Sequence, residues 1–122
     1  MTGVWKDSRE ACRPVLPFAA PETLQILLFH SDGTRIATVR RTGGRRSVAL
    51  PLRSLARILA RSGAASLIMV HNHPGGDPRP SGADMDATHA VWRMARTLGA
   101  TLRDHLIIGC DATFSFRANG ML

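Results

Sequence analysis

An α/β fold is what this sequence predicts, on three observations: apolar runs of strand length, two segments whose apolar residues recur at helical spacing, and Gly, Pro and Asp punctuation between them. Its 122 residues suit one domain, long enough to bury a core and too short for a second of ordinary size.

Residues 1–20 mix charge with Pro14 and Pro17 and hold no sustained period, so they are expected to form an N-terminal arm or leader ahead of a domain over 21–122. Thr23 to His30 is an apolar run of strand length, Ser31-Asp32-Gly33 supplies a turn, and Thr34 to Arg40 reads as a second strand, the pattern of a hairpin. RTGGRR, from Arg41 to Arg46, reads as an exposed flexible loop, followed by a short strand at Ser47 to Leu50. Pro51 suits the first turn of a helix, Leu52, Leu55, Ile58 and Leu59 share a face, and Gly63 stops it. Ser66 to Val70 is a continuous apolar run, as expected of a central strand covered on both faces. A Pro/Gly-rich loop then leads to Ser81 and a second helix, on which Asp84, Thr88, Val91, Ala95 and Leu98 share a face before Gly99. Thr101 to Gly109 and Thr113 to Phe116 are the closing strands.

No apolar run approaches the roughly 20 residues that span a bilayer, and the N-terminus lacks a basic segment followed by an apolar stretch and a cleavage site, so the expected location is the cytoplasm. Cys12 and Cys110 stand far apart without CxxC pairing and are expected to be reduced thiols. The formal net charge of +7 is compatible with an acidic partner, nucleic acid included, and basic residues are locally dense only at Arg40, Arg41, Arg45 and Arg46. Fifteen of the sixteen basic residues are arginine, with Lys6 the single lysine, which composition bias alone would also produce.

The chemistry concentrates in His71-Asn72-His73-Pro74, followed by Ser81 and Asp84. Residues two apart on an extended segment project to one side, so His71 and His73 at a strand end aim their imidazoles at one point. Asp84 falls in the first turn of the next helix, where the helix dipole favours a carboxylate that can face back toward the strand end. Two imidazoles and a carboxylate hold a metal and leave a fourth tetrahedral position for water, the open arrangement of catalytic rather than structural zinc. Ser81-x-x-Asp84 also spells a helix N-cap, and the serine can cap and serve a site together. His30, His89 and His105 have no partner at ligand spacing and read as ordinary residues.

HNHPGGDPRPSGADMDAT resembles the JAMM signature of the JAB/MPN metalloprotease family: HxH, seven residues from Pro74 to Pro80, then SxxD. The HNHP opening, Gly76-Asp77-Pro78, Pro80-Ser81, Asp104-His105-Leu106-Ile107-Ile108-Gly109 and Ser115-Phe116 are similar to the RadC-like branch in particular. The resemblance implies a single domain with a mixed β-sheet flanked by helices, of cytidine-deaminase-like architecture. It also implies one zinc ion held by His71, His73 and Asp84. The family places a glutamate at the start of an early core strand as general base, and of the two glutamates, Glu10 and Glu22, Glu22 stands at that position. Ser81, by the same resemblance, would donate a hydrogen bond to a developing oxyanion. The chain departs from the RadC-like pattern at Gly75, commonly serine, and at PLRSL over 51–55, where an acidic position is missing.

The function expected is therefore zinc-dependent hydrolysis of a peptide or isopeptide-like amide in a peptide or protein substrate. The alternative is a basic, metal-stabilised, nucleic-acid-associated module without turnover, working through Arg40, Arg41, Arg45 and Arg46. A protease site should lose activity but not zinc when Glu22 is altered, whereas a binding module should depend on the arginines and on salt. The blandest possibility is a diverged interaction domain that keeps these residues for stability.

Overall fold

In β1 (Thr23–Phe29), Leu24, Ile26 and Leu28 point to one face and Leu27 and Phe29 to the other, and all five are buried. The same holds for Leu67 and Met69 against Ile68 and Val70 in β3 (Ser66–Asn72), so both strands are covered on both sides, as unbroken apolar runs require. They are the inner pair of a mixed sheet in a computed structural model that describes residues 22–43 and 52–122. The other elements are β2 (Arg35–Thr42), α1 (Leu52–Ser62), α2 (Gly82–Thr97), β4 (Thr101–Ile108) and β5 (Thr113–Ser115). The expected arm over 1–20, the short strand at Ser47 to Leu50, Arg45 and Arg46 all lie outside the described residues.

Five described strands run in the order β2-β1-β3-β4-β5. β1 is antiparallel to both β2 and β3, β3 is parallel to β4, and β5 returns antiparallel along β4. The parallel pair needs a crossover, which α2 supplies. Leu55 and Leu59 of α1 and Val91 and Ala95 of α2 pack with Leu24, Ile26, Leu28, Leu67, Met69 and Leu102, so both helices cover one face of the sheet. A second apolar cluster of Leu27, Phe29, Ile68, Val70 and Leu106 lies on the opposite face. No described helix is long and apolar enough to cross a membrane.

Three sequence expectations shift. β2 continues past Arg40, because Arg41 pairs with Leu24 and Thr42 with Thr23; Arg40 and Arg41 are exposed, but on a hydrogen-bonded strand rather than in a flexible loop. β3 runs on through His71 to Asn72, since its pairing with β4 extends to Asn72 opposite Ile108. Leu98 caps α2 instead of packing from it: its N–H turns back to the carbonyls of Met94 and Ala95, and its side chain is exposed.

Leu55 is fully buried between α1 and the sheet. Leu55→Ala should cost about 2–5 kcal/mol, the usual range for a leucine cavity that neighbours cannot fill, read as a lower midpoint in urea denaturation at unchanged slope.

Candidate metal centre

The register between β1 and β3 sets the site. Leu24 pairs with His71, and β1 ascends as β3 descends, so the residue two before Leu24 comes opposite the residue two after His71. Those are Glu22 and His73, and alternation puts both on the face of His71, the face covered by α2. Two bonds hold the backbone at Glu22: Gly43 N–H donates to its carbonyl at 3.0 Å, and the following amide, Thr23 N–H, donates to Asn72 Oδ1 at 2.8 Å. One carboxylate oxygen of Glu22 and one ring nitrogen each of His71 and His73 lie within 4.8 Å of one another, a cluster that could hold a metal ion.

A second carboxylate meets the same two rings. Asp84 Oδ1 lies 3.3 Å from His71 Nε2, Asp84 Oδ2 lies 3.2 Å from His73 Nε2, and the two Nε2 atoms are 2.9 Å apart. Ligands of a tetrahedral zinc at 2.0–2.1 Å stand about 3.3–3.4 Å from one another, so this triangle nearly matches one face of such a tetrahedron. Asp84 reaches it from the third residue of α2, whose start is secured by a reciprocal capping box: Asp84 N–H donates to Ser81 Oγ at 3.0 Å and Ser81 N–H donates to Asp84 Oδ2 at 2.8 Å. Although burial works against ionisation of Asp84, the adjoining His71 ring and the bond from the Ser81 amide hold its carboxyl well below the ordinary carboxylate range.

The first half of the loop between β3 and α2 is anchored to the end of β4 and the residues after it. His73 N–H donates to Ile108 O at 2.9 Å, and Cys110 N–H donates to Gly76 O at 2.9 Å. His73 Nδ1 lies 2.7 Å from Asp77 O; a carbonyl only accepts, so Nδ1 carries the proton and the Nε2 of the neutral ring is a bare lone pair aimed at the cluster. The Asp77 carboxylate itself is engaged by Arg79 through its backbone amide, Nε and a 2.7 Å terminal contact, and that guanidinium holds it down to about 2.

Every residue singled out from the sequence for this site, Glu22, His71, His73, Ser81 and Asp84, is thus found at one end of the sheet, around the carboxyl end of β3, where open α/β sheets place their ligands. Sequence reasoning missed two neighbours. Asn72, fully buried, ties β3 to the start of β1. His105, also buried, approaches His71 Nδ1 with its Nε2 at 2.7 Å, while its Nδ1 lies 2.6 Å from Thr88 Oγ1. Only strand pairing shows that partnership, because His105 stands opposite Met69, two residues before His71 and on the same face. Cys110 is an exposed free thiol.

The RadC-like JAB domain model matches residues 3–121 of the chain. A UPF0758 protein of Ruegeria pomeroyi is 37% identical over 121 residues, which cover 97% of this chain and 53% of that protein. A UPF0758 protein of Rhodobacter capsulatus is 34% identical over 119 residues, covering 97% of this chain and 56% of its own length. One from Porphyromonas gingivalis is 37% identical over 121 residues, covering 95% and 53%. The chain spans about half the length of these relatives.

Gly109 shows how tightly the loop is seated: a Cβ there would stand 2.5 Å from Gly76 O and 2.8 Å from Pro78 Cδ. Gly109→Ala should therefore cost about 1–3 kcal/mol by overpacking. It should also displace the imidazole resonances of His73 in the NMR spectrum, since Asp77 must move with the loop. An unchanged melting temperature and unchanged His73 signals would count against this packing.

Proposed function

Because the chain belongs to the RadC-like JAB domain family, we propose that it is a zinc-dependent metallohydrolase that cleaves peptide or isopeptide-like amide bonds, with His71, His73 and Asp84 as the metal ligands. The observation that supports this most directly is the triangle of His71 Nε2, His73 Nε2 and an Asp84 carboxylate, closed to 2.9–3.3 Å. Zinc held there would act as a Lewis acid and bring the pKa of a water toward about 7.

The remaining chemistry falls to side chains. Glu22 offers a carboxylate oxygen within 4.8 Å of a ring nitrogen of each of the two imidazoles. Its carboxylate takes a proton from the attacking water and returns it to the departing amine, as general base and then general acid. Ser81 Oγ accepts the Asp84 amide proton, so its own proton is available to an oxyanion forming beside the helix start. Asp77 and Asp104 are poorer bases. The first is bound by Arg79, and the second accepts from His105 N–H, Ser115 Oγ–H and Arg117 N–H.

A second reading has one observation in its favour: Arg40 and Arg41 are both exposed, at consecutive positions of β2 that project to opposite faces. A nucleic-acid-associated module built on them would bind duplex DNA with an affinity that falls steeply with salt and with neutralisation of the arginines.

Glu22→Gln and His73→Ala separate these alternatives. Elemental analysis of protein purified without added metal should find one zinc in the wild type and in Glu22→Gln and little in His73→Ala. Hydrolysis of a suitable amide should fall by about 10² or more in Glu22→Gln, with little change in thermal stability. Loss of zinc from Glu22→Gln would make Glu22 a ligand, and normal turnover would remove it as the base.

A further inference from the structure

The positions of the protons around His105 follow from the acceptors it meets. Thr88 Oγ1 lies 2.6 Å from Asp84 O and 2.6 Å from His105 Nδ1. A carbonyl only accepts, so the single hydroxyl proton goes to Asp84 O, and His105 Nδ1 must be the donor to Thr88 Oγ1. His105 is buried, without a carboxylate among these contacts, and an uncompensated cation there would be costly, so the ring is neutral and its Nε2 is an acceptor. The atom facing that Nε2, at 2.7 Å, is His71 Nδ1, which therefore carries a proton. In the neutral form of the ring this leaves His71 Nε2 as a bare lone pair, facing His73 Nε2 and Asp84 Oδ1. The His105 ring is held flat against Phe116, with centroids 4.7 Å apart and planes 7° from parallel.

We infer that His105 and Thr88 are positioning residues, which lock His71 in the tautomer whose Nε2 can bind metal; the inference rests on the metal-site reading given above. The relay runs from Asp84 O through Thr88 Oγ1 and His105 to His71, so it joins the backbone of one ligand to the ring of another across α2, β4 and β3. Partners of this kind hold a ligand ring in orientation, and their loss typically lowers metal affinity about 10–100-fold.

The test uses the full chain, 15N-labelled and stripped of metal, in mildly alkaline buffer. Long-range proton–nitrogen correlation spectra of the wild type should show His105, His71 and His73 protonated on Nδ1. His71 protonated on Nε2 overturns the inference without any variant. Thr88→Val keeps the shape and removes the acceptor, so His105 and His71 should both move to the Nε2–H form. Zinc affinity, measured by competition with a chromophoric chelator, should then fall by about 10–100-fold, and Thr88→Ser should restore both readouts. His105→Phe, which keeps the stack on Phe116, should lose affinity to the same extent. Folded Thr88→Val and His105→Phe proteins, by circular dichroism, with wild-type zinc affinity overturn the proposal. A wild type with the expected tautomers that takes up no zinc supports the relay and sinks the metal-site reading, so the two failures are distinguishable.

Discussion

The pairing of Leu24 with His71 is the constraint from which the site is built. Side chains alternate along a strand, and a slip of one residue would turn His71 away from α2 and exchange the two apolar clusters between the faces of the sheet. Both faces of β1 and β3 are buried, so such a slip would strand His71 among Leu27, Ile68 and Val70 and break the bonds from Thr23 N–H and to Glu22 O. Core packing therefore holds in place a polar cluster that would not hold its own register. Glu22 and His73 arrive on the α2 face only because that register continues past the ends of the strands.

What α2 adds is direction. Its start carries a capping box in which Asp84 satisfies the Ser81 amide with the same Oδ2 that faces His73. The cap orients the carboxylate before any ligand is present, and the helix N-terminus favours its charge. The loop from Pro74 to Pro80 is positioned from the far side, against Gly109, where no Cβ fits beneath Gly76 O. The three groups of the triangle thus come from two elements and one loop, each fixed by backbone bonds rather than by the site itself.

Much of this was legible in the sequence, for local reasons. The apolar runs and helical spacing identify β1, β3, α1 and α2, and the spacing of His71, His73, Ser81 and Asp84 identifies the cluster, because a strand end, a loop and a first helical turn are short-range geometry. Glu22 was legible only through the family resemblance, since its approach to His73 depends on pairing between strands far apart in sequence. The parts that His105 and Asn72 play were not legible, although both stand in segments that carry the family resemblance. Nothing local marks His105; its role depends on the parallel pairing of β4 with β3 and on Thr88 facing inward one turn after Asp84. The extra length of β2 was hidden by its composition, since Arg41 and Thr42 read as a loop until β1 provides partners.

The carboxylates near the site sort themselves by what already binds them. A general base needs lone pairs that structure has not taken up, at a distance that admits a water. Asp77 is taken up by Arg79 and Asp104 by His105, Ser115 and Arg117. Asp84 is divided between its cap and the two imidazoles, and its depressed titration keeps it anionic, as a ligand requires. Glu22 shares the cluster with the two imidazoles, and among the described residues no side-chain bond to its carboxylate competes with that place. Two carboxylates thus flank one histidine pair, and the proposed function assigns Asp84 to a set of inward-facing acceptors that only a cation reconciles and Glu22 to proton transfer.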